Sequence, residues 1–537
     1  MGTNATGTTD GPEGRLGGDV LTVDHTHTNA KSEKAAIESG LEIAEKRDAS
    51  IEDESDKAPL PPYSVFTGWE RYSIVAMVAA ASLFSPLTAN VYFPAIPQIA
   101  NAFNTSVERI NLTVTVYMIV QGLSPSLWGS VADRKGRRPA FVGCLIILLG
   151  STIGLALVPT SAYWLLVVLR LVQAAGSAST VALAAGVMAD VIPIELRGGY
   201  MGIANIGPMI GPCIGPVIGG ILANKLGWRS IFWFLAIATG VCCVFLLLFF
   251  PETLRSMVGN GSIPPPKYNR ALIPIIGRRG LEVSSERPPV KALPNPFKLF
   301  TAPDVVIILI SSAVPYSAFY AVNTTISSLF TEVYPFLTET EIGLCFLGLG
   351  GGGTLATITV GKLLDVQFRA TRRKMERAAN NDPEKLRDIS KIDRGNYDDF
   401  PIEEACLKTQ FIWIWLFSIA CIGYGWCLHA KTTIAVPLIL QFILGYTMVA
   451  VMTNTGTLIV DLFPTQGSSV TAANNLVRCL MGAATVSVIN PITNALGPGW
   501  TYTLCGGLCA LTVPMVLVEL KWGPVWRQRR IERSRQG

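Results

Sequence analysis

The sequence is short of the residues on which enzymatic and metal chemistry depend. Three His occur in 537 residues. His25 and His27 lie in a polar stretch and His429 stands near a predicted helix end, so an imidazole-based catalytic centre has almost no material. The 11 Cys are scattered singly apart from Cys242-Cys243, with no CxxC and no Cys/His cluster. A disulfide frame and a zinc site are therefore not expected, and neither is any other metal or cofactor. No GxxxxGK[ST] loop is present to cradle a nucleotide phosphate, which argues against direct drive by ATP. No nucleic-acid partner is expected either. Charge is scarce: 15% of residues are charged and 50% are hydrophobic, too apolar for a water-soluble chain of this length.

What is present is a run of apolar blocks of about 20 residues, the length that crosses a bilayer as helix. Twelve helices are predicted, over about 72–94, 110–130, 140–158, 162–186, 198–222 and 229–250, then about 304–331, 341–364, 409–428, 433–460, 468–492 and 499–520. Residues 1–70 are rich in Gly, Thr and acids and read as a disordered tail without a signal-peptide pattern. The expected architecture is an all-α integral membrane fold of two pseudo-symmetric six-helix bundles around a central cavity. The bundles span 71–251 and 304–520, with a linker at 252–303, a charged insert at about 366–408 and a basic tail at 521–537.

The Lys and Arg residues sort to one side. Arg134, Lys135, Arg137 and Arg138 follow the second helix, Arg369, Arg372 and Arg373 the eighth, and Arg527, Arg529 and Arg530 the last. The linker after the sixth helix is basic too. If the helices alternate, that side is cytoplasmic and both termini lie there, as an even helix count requires. Asn104-Thr105-Ser106 on the other side is the glycosylation candidate. The chain also repeats itself. Gly129-Ser-Val-Ala-Asp133 closes the second helix and Gly361-Lys-Leu-Leu-Asp365 the eighth; Asp190-Val-Ile-Pro193 and Asp461-Leu-Phe-Pro464 follow the fourth and tenth.

Three stretches carry the functional reading. The fifth helix holds Gly207-Pro208, Gly211-Pro212, Gly215-Pro216 and Gly219 at four-residue spacing. A soluble helix would not tolerate this, but neighbours in a membrane can hold it and small residues let backbones approach. The face is either a packing seam or a smooth surface that seals and flexes. Gly129, Asp133, Arg134, Gly136, Arg137 and Arg138 form a helix-end loop in which Asp133 can pair with Arg137 or with a neighbouring helix N-terminus, a latch that breaks and remakes. Third, Arg170 lies inside an apolar helix with Gln173 one turn on, and Arg478 lies inside another with Asn474 and Asn475 one turn before. An intramembrane Arg costs about 2.5–3.5 kcal/mol on insertion scales and should face a wet cavity or a partner. The predicted blocks hold no deep Asp or Glu, so such a cavity attracts anions. Asn90, Tyr117 and Gln121 are further cavity candidates, with helix–helix hydrogen bonding as the plain alternative.

These stretches resemble motifs A, B and C of the major facilitator superfamily, in order on helices 2–3, 4 and 5. Within it, Ser85-Pro86 with Asn90 and Tyr92-Phe93-Pro94, Gln173-Ala-Ala-Gly176-Ser177 and Asn474-Asn475-Leu-Val-Arg478 resemble the fungal twelve-helix drug:proton antiporter group, in the branch of quinidine-resistance transporters and citrate or other organic-acid exporters. The resemblance implies proton-linked secondary export, with Arg170 tied to coupling. The expected function is export of a small organic anion or amphipathic metabolite by alternating access, not an enzymatic one. The alternatives are multidrug:proton antiport and a transporter-like sensor or scaffold without flux. The partners expected are the substrate, protons and the lipid bilayer. The chain is expected as a monomer in the plasma membrane, with the vacuolar membrane as the alternative.

Overall fold

The computed structural model describes residues 63–277, 300, 302–378, 400–463 and 467–536. The expected tail up to residue 62, the middle of the linker at 278–299 and the insert over 379–399 lie outside the described residues. Among the described residues all regular structure is helix. The first half contains α1 (Gly68–Asn90), α2 (Val107–Lys135), α3 (Arg137–Leu157), α4 (Tyr163–Val191), α5 (Gly199–Leu226) and α6 (Arg229–Phe249). The second contains α7 (Pro303–Val333), α8 (Glu339–Ala378), α9 (Gln410–His429) and α10 (Ala435–Leu462). A last apolar stretch, Val470–Arg530, is 61 residues long, about three times what one crossing of a bilayer needs. Gly497, at φ +76°, breaks it. This leaves α11 over 467–496 and α12 from Pro498 onward, and makes twelve crossings in all.

Local sequence explains the ends. α1 opens with a capping box in which Thr67 and Glu70 satisfy each other's backbone N–H groups, and Thr338 with Glu341 does the same for α8. Gly227, at φ +80° and ψ 162°, turns α5 into α6; Gly497, at φ +76° and ψ 164°, turns α11 into α12. A side chain rarely adopts this backbone, so glycine sits at both reversals, and the equivalence extends the internal repeat. Two helices outrun their expected ends and one short helix is added. α8 continues to Ala378 through part of the expected insert, the six-residue helix Ile402–Leu407 precedes α9, and Val513–Gln536 carries α12 through the expected tail.

The halves meet along two pairs, α2 with α11 and α5 with α8. A Cβ on Gly122 would lie 3.0 Å from Cβ of Cys479, and one on Gly350 would lie 2.7 Å from Cα of Cys213. Farther from the basic end, Gly343 faces Pro216 and Gly220, Asn224 donates to Thr340 at 2.9 Å, Asn494 to Glu108 at 2.9 Å and Ser327 to the Phe93 carbonyl at 2.8 Å. Toward the basic end the glycines of the same helices stand in open space: nothing comes within 4 Å of a Cβ built on Gly129, Gly199, Gly202 or Gly361. The seam is thus tight from the middle to the end opposite the basic one, and slack at the basic end.

The Gly-Pro face of α5 has two neighbours. Gly207, Gly211, Gly215 and Gly219 press on α1 of their own half, where a Cβ at Gly211 would lie 2.6 Å from Pro86 and one at Gly215 3.3 Å from Asn90. Cys213, Pro216 and Gly220 on the adjoining face meet α8 across the seam. Pro212 and Pro216 lie inside the helix; Gly207-Pro208 falls at its joint with Ile194–Ala204, near Asn205.

Candidate functional site

Arg170 is enclosed in the first half, 1% exposed. α4 carries it into a box of aromatic and hydroxyl groups from α1 and α2. Its guanidinium lies 4.2 Å from the Tyr92 ring centre and 4.4 Å from that of Tyr117, and Nη1 donates to Gln173 at 2.6 Å. The ring faces stabilise a cation that has no carboxylate beside it. Tyr117 in turn hydrogen-bonds Ser177 at 2.7 Å and Thr88 at 2.9 Å, and Tyr92 hydrogen-bonds Thr113 at 3.1 Å. Nε and Nη2 of Arg170 and Nε2 of Gln173 are buried without a hydrogen-bond partner. The box therefore keeps donor capacity in reserve.

Arg478 occupies a different setting. It is half-buried on α11, donates to Asn475 at 3.0 Å and lies 4.8 Å from the Tyr316 ring centre on α7. Asn475 donates across the seam to the Gln121 carbonyl at 3.2 Å, while Asn474 accepts from Ser312 at 3.3 Å. Nε of Arg478 and Oε1 of Gln121 have no hydrogen-bond partner. Tyr316 packs on Tyr320 at 4.7 Å. Each arginine thus lies against tyrosine rings of its own half. Asn90 stands apart, with its amide folded back onto the Pro86 carbonyl at 2.7 Å. Asn104 is exposed in the loop before α2, with φ +48°.

The basic-end loop is held as a network. Arg137 pairs with Asp133 at 2.7 Å and with Asp190, at the end of α4, at 2.9 Å. Gly136, at φ +114°, sits between α2 and α3 where a Cβ would strike Glu252. Glu252 accepts backbone N–H groups from Arg137, Arg138, Thr253 and Leu254. Burial pushes its carboxyl up and those four donors push it back, with burial prevailing. Arg138 is buried and donates to the carbonyls of Phe250 at 3.0 Å and Leu247 at 2.7 Å, whereas Arg134 is exposed. A cleft of about 710 Å³ beside this network is lined by Asp133, Arg134, Met257, Lys267 and Arg270. Its lining comes from the first half and the linker, so it does not reach the seam.

Two contributors escaped the sequence reading. In the sequence Glu252 reads as the first residue of the linker; Pro251-Glu252-Thr253 directly after an apolar helix is the signal that marks it. Asp190 was noticed as part of a repeat and not as a partner of Arg137.

The arrangement of two six-helix halves is matched by known proteins. The sequence pattern described as Major Facilitator Superfamily fits residues 78–379, more than half of the chain. The chain belongs to the major facilitator superfamily. Citrate exporter 1 of Aspergillus niger is 39% identical over 488 residues, covering 89% of this chain and 91% of that protein. The MFS-type transporter tstD of Talaromyces stipitatus is 35% identical over 515 residues, covering 93% and 90%. The multidrug transporter QDR2 of Candida glabrata is 31% identical over 551 residues, covering 97% and 91%. These relatives match the fungal drug and organic-acid exporter group of the superfamily. The crystal structure of a D-xylose-proton symporter superposes with a TM-score of 0.59 at 14% identity, over 83% of this chain and 97% of that one, a likeness of fold. This is a multi-pass membrane transporter.

Proposed function

We propose that this transporter exports small organic anions or amphipathic metabolites by alternating access, linked to protons. Arg478 carries the reading. It lies near the seam, half-buried, with Nε unpartnered and no carboxylate hydrogen-bonded to it. A cation in that position is an anion site whose strength grows as water is excluded. Arg170, nearly sealed in its tyrosine box, acts on coupling through Tyr117 and not by direct contact. Asn475 and Gln121, already bridging the halves, would report occupancy to the seam. The slack basic end is the cytoplasmic opening, the Asp133–Arg137–Asp190 network is its latch, and the α5 glycine face seals and flexes between α1 and α8. Similarity to Citrate exporter 1 supports an organic acid as cargo. The plasma membrane is the proposed site and the monomer the proposed unit.

A second reading has its own support. The rings of Tyr117, Tyr316 and Tyr320 suit flat or cationic xenobiotics, and a multidrug transporter is among the relatives. Flux in proteoliposomes separates the two, using labelled citrate, itaconate and a cationic drug, each with and without an imposed pH gradient. Anion flux that falls at least tenfold in Arg478→Ala, with normal insertion, is the expected result. Proton-driven flux of the cationic drug with no anion flux would overturn it. Intact folding with no flux of any solute would point to a sensor.

A further inference from the structure

The predicted helices held no deep acid, yet the second half encloses three carboxylates at its basic end. Asp304 opens α7, Glu403 lies on the helix Ile402–Leu407 and Glu519 lies on α12; they are 2%, 0% and 1% exposed. We propose that this cluster is a proton-binding site, with the proton carried on Glu519.

The argument is one of charge and donors. Two guanidiniums serve the three acids. Arg530 is bonded to Asp304, and Arg527 approaches Glu403 at 3.2 Å while donating to the Phe400 carbonyl at 2.8 Å. Both oxygens of Glu519 and both of Glu403 are buried with no hydrogen-bond donor; Glu403 still has the Arg527 guanidinium at 3.2 Å as an ion pair, and Glu519 has no ion pair among the described residues. A Cβ on Gly523 would lie 2.6 Å from Oε1 of Glu519 and 3.2 Å from Cγ of Glu403, so the two acids face each other over a glycine. Among the described residues the remaining ionisable groups do not supply the missing charge. Glu404 is paired with Lys374 at 2.9 Å, Cys406 on the same short helix is a buried thiol, and Lys521 and Arg529 are exposed. One negative charge is therefore left uncompensated in a dry site, and a buried carboxylate without donors is costly. A proton on Glu519 removes that charge and turns an orphan acceptor into a donor for Glu403.

The place also suits proton exchange with water. At about 1.5 Å per residue, Glu519 lies about 33 Å along α12 from Gly497, at the border of the hydrocarbon. A small shift of α12 against α7 would admit water. Use of this proton in transport rests on the export reading above; the existence of the site does not.

Infrared difference spectroscopy of the full chain in liposomes, wild type against Glu519→Gln, tests it. The expected result is a protonated-carboxyl band that persists in the wild type from mildly acid into neutral pH and is missing from the variant. In Glu403→Gln the band should titrate at lower pH, because the neighbouring carboxylate is gone. A wild type with no such band at neutral pH, a band intact in Glu519→Gln, or an unshifted titration in Glu403→Gln would each overturn the proposal. Failure to find any transported solute would remove the export reading and leave these spectra decisive for the site.

Discussion

The two halves close their basic ends with opposite chemistry. In the first, Asp133 and Asp190 share Arg137, and Glu252 is met by four backbone N–H groups. In the second, Asp304 and Glu403 take the two arginines and Glu519 is left without a donor. Both ends descend from recognisably repeated helices, with Gly129 to Asp133 mirrored by Gly361 to Asp365. The contrast therefore lies in the acids each end buries outside the repeated motifs: Glu252 in the first half and Asp304, Glu403 and Glu519 in the second. One end is satisfied and suited to hold; the other is under-served and suited to titrate.

Substitutions can break this contrast, starting with the largest expected effect. Arg137→Ala leaves two carboxylates facing each other without their shared cation. It should destabilise the first half by about 3 kcal/mol and lower the unfolding temperature of the purified protein. A Leu at Gly211 must push into Pro86 and the α1 backbone, an overpacking cost of about 1–3 kcal/mol. It should abolish turnover while the protein still reaches the membrane; wild-type flux would defeat the sealing role. The paired Glu→Gln changes sharpen the comparison most. Glu252→Gln places an amide N–H against a backbone N–H and should cost about 1–2 kcal/mol. Glu519→Gln keeps the site neutral without having to take up a proton on folding, and should cost nothing, or stabilise by about 1 kcal/mol at neutral to alkaline pH. Equal losses at both positions in thermal unfolding would erase the distinction. Smallest of all is Gly129→Ala, which fills open space and should leave stability within about 0.5 kcal/mol. Cysteine-accessibility labelling should nevertheless show fewer molecules able to close the basic end.

The division into twelve helices was legible because membrane spans announce themselves by length and apolarity. The break between α11 and α12 was legible as a gap between apolar blocks at 468–492 and 499–520, although its placement at Gly497 and its likeness to Gly227 show only in the backbone angles. The pairing of Asp133 with Arg137 follows from a four-residue spacing. Glu252 was not legible, because its partners lie about 115 residues back and it resembles the first polar residue of a linker. Glu519 was missed for a related reason: a charge near a span's end is ordinarily solvated, and its burial depends on α12 continuing past residue 520 and on Ile402–Leu407 folding over it. The α5 glycines pointed to close packing, but which helix they would touch is a tertiary fact. Arg170 and Arg478 stood out equally as intramembrane cations. Their surroundings distinguish them, one sealed by rings and the other placed beside the seam.

The reversal at Gly497 bears on how the protein is made. α11 is a poor candidate for entering a bilayer alone, since it carries Asn474, Asn475 and Arg478, and an Arg at mid-span costs about 2.5–3.5 kcal/mol on insertion. α12 opens with a long apolar run and follows after one residue. With no loop to wait in, the two segments must leave the translocon as one hairpin, so that the hydrophobicity of the last helix underwrites the membrane entry of the helix that bears Arg478.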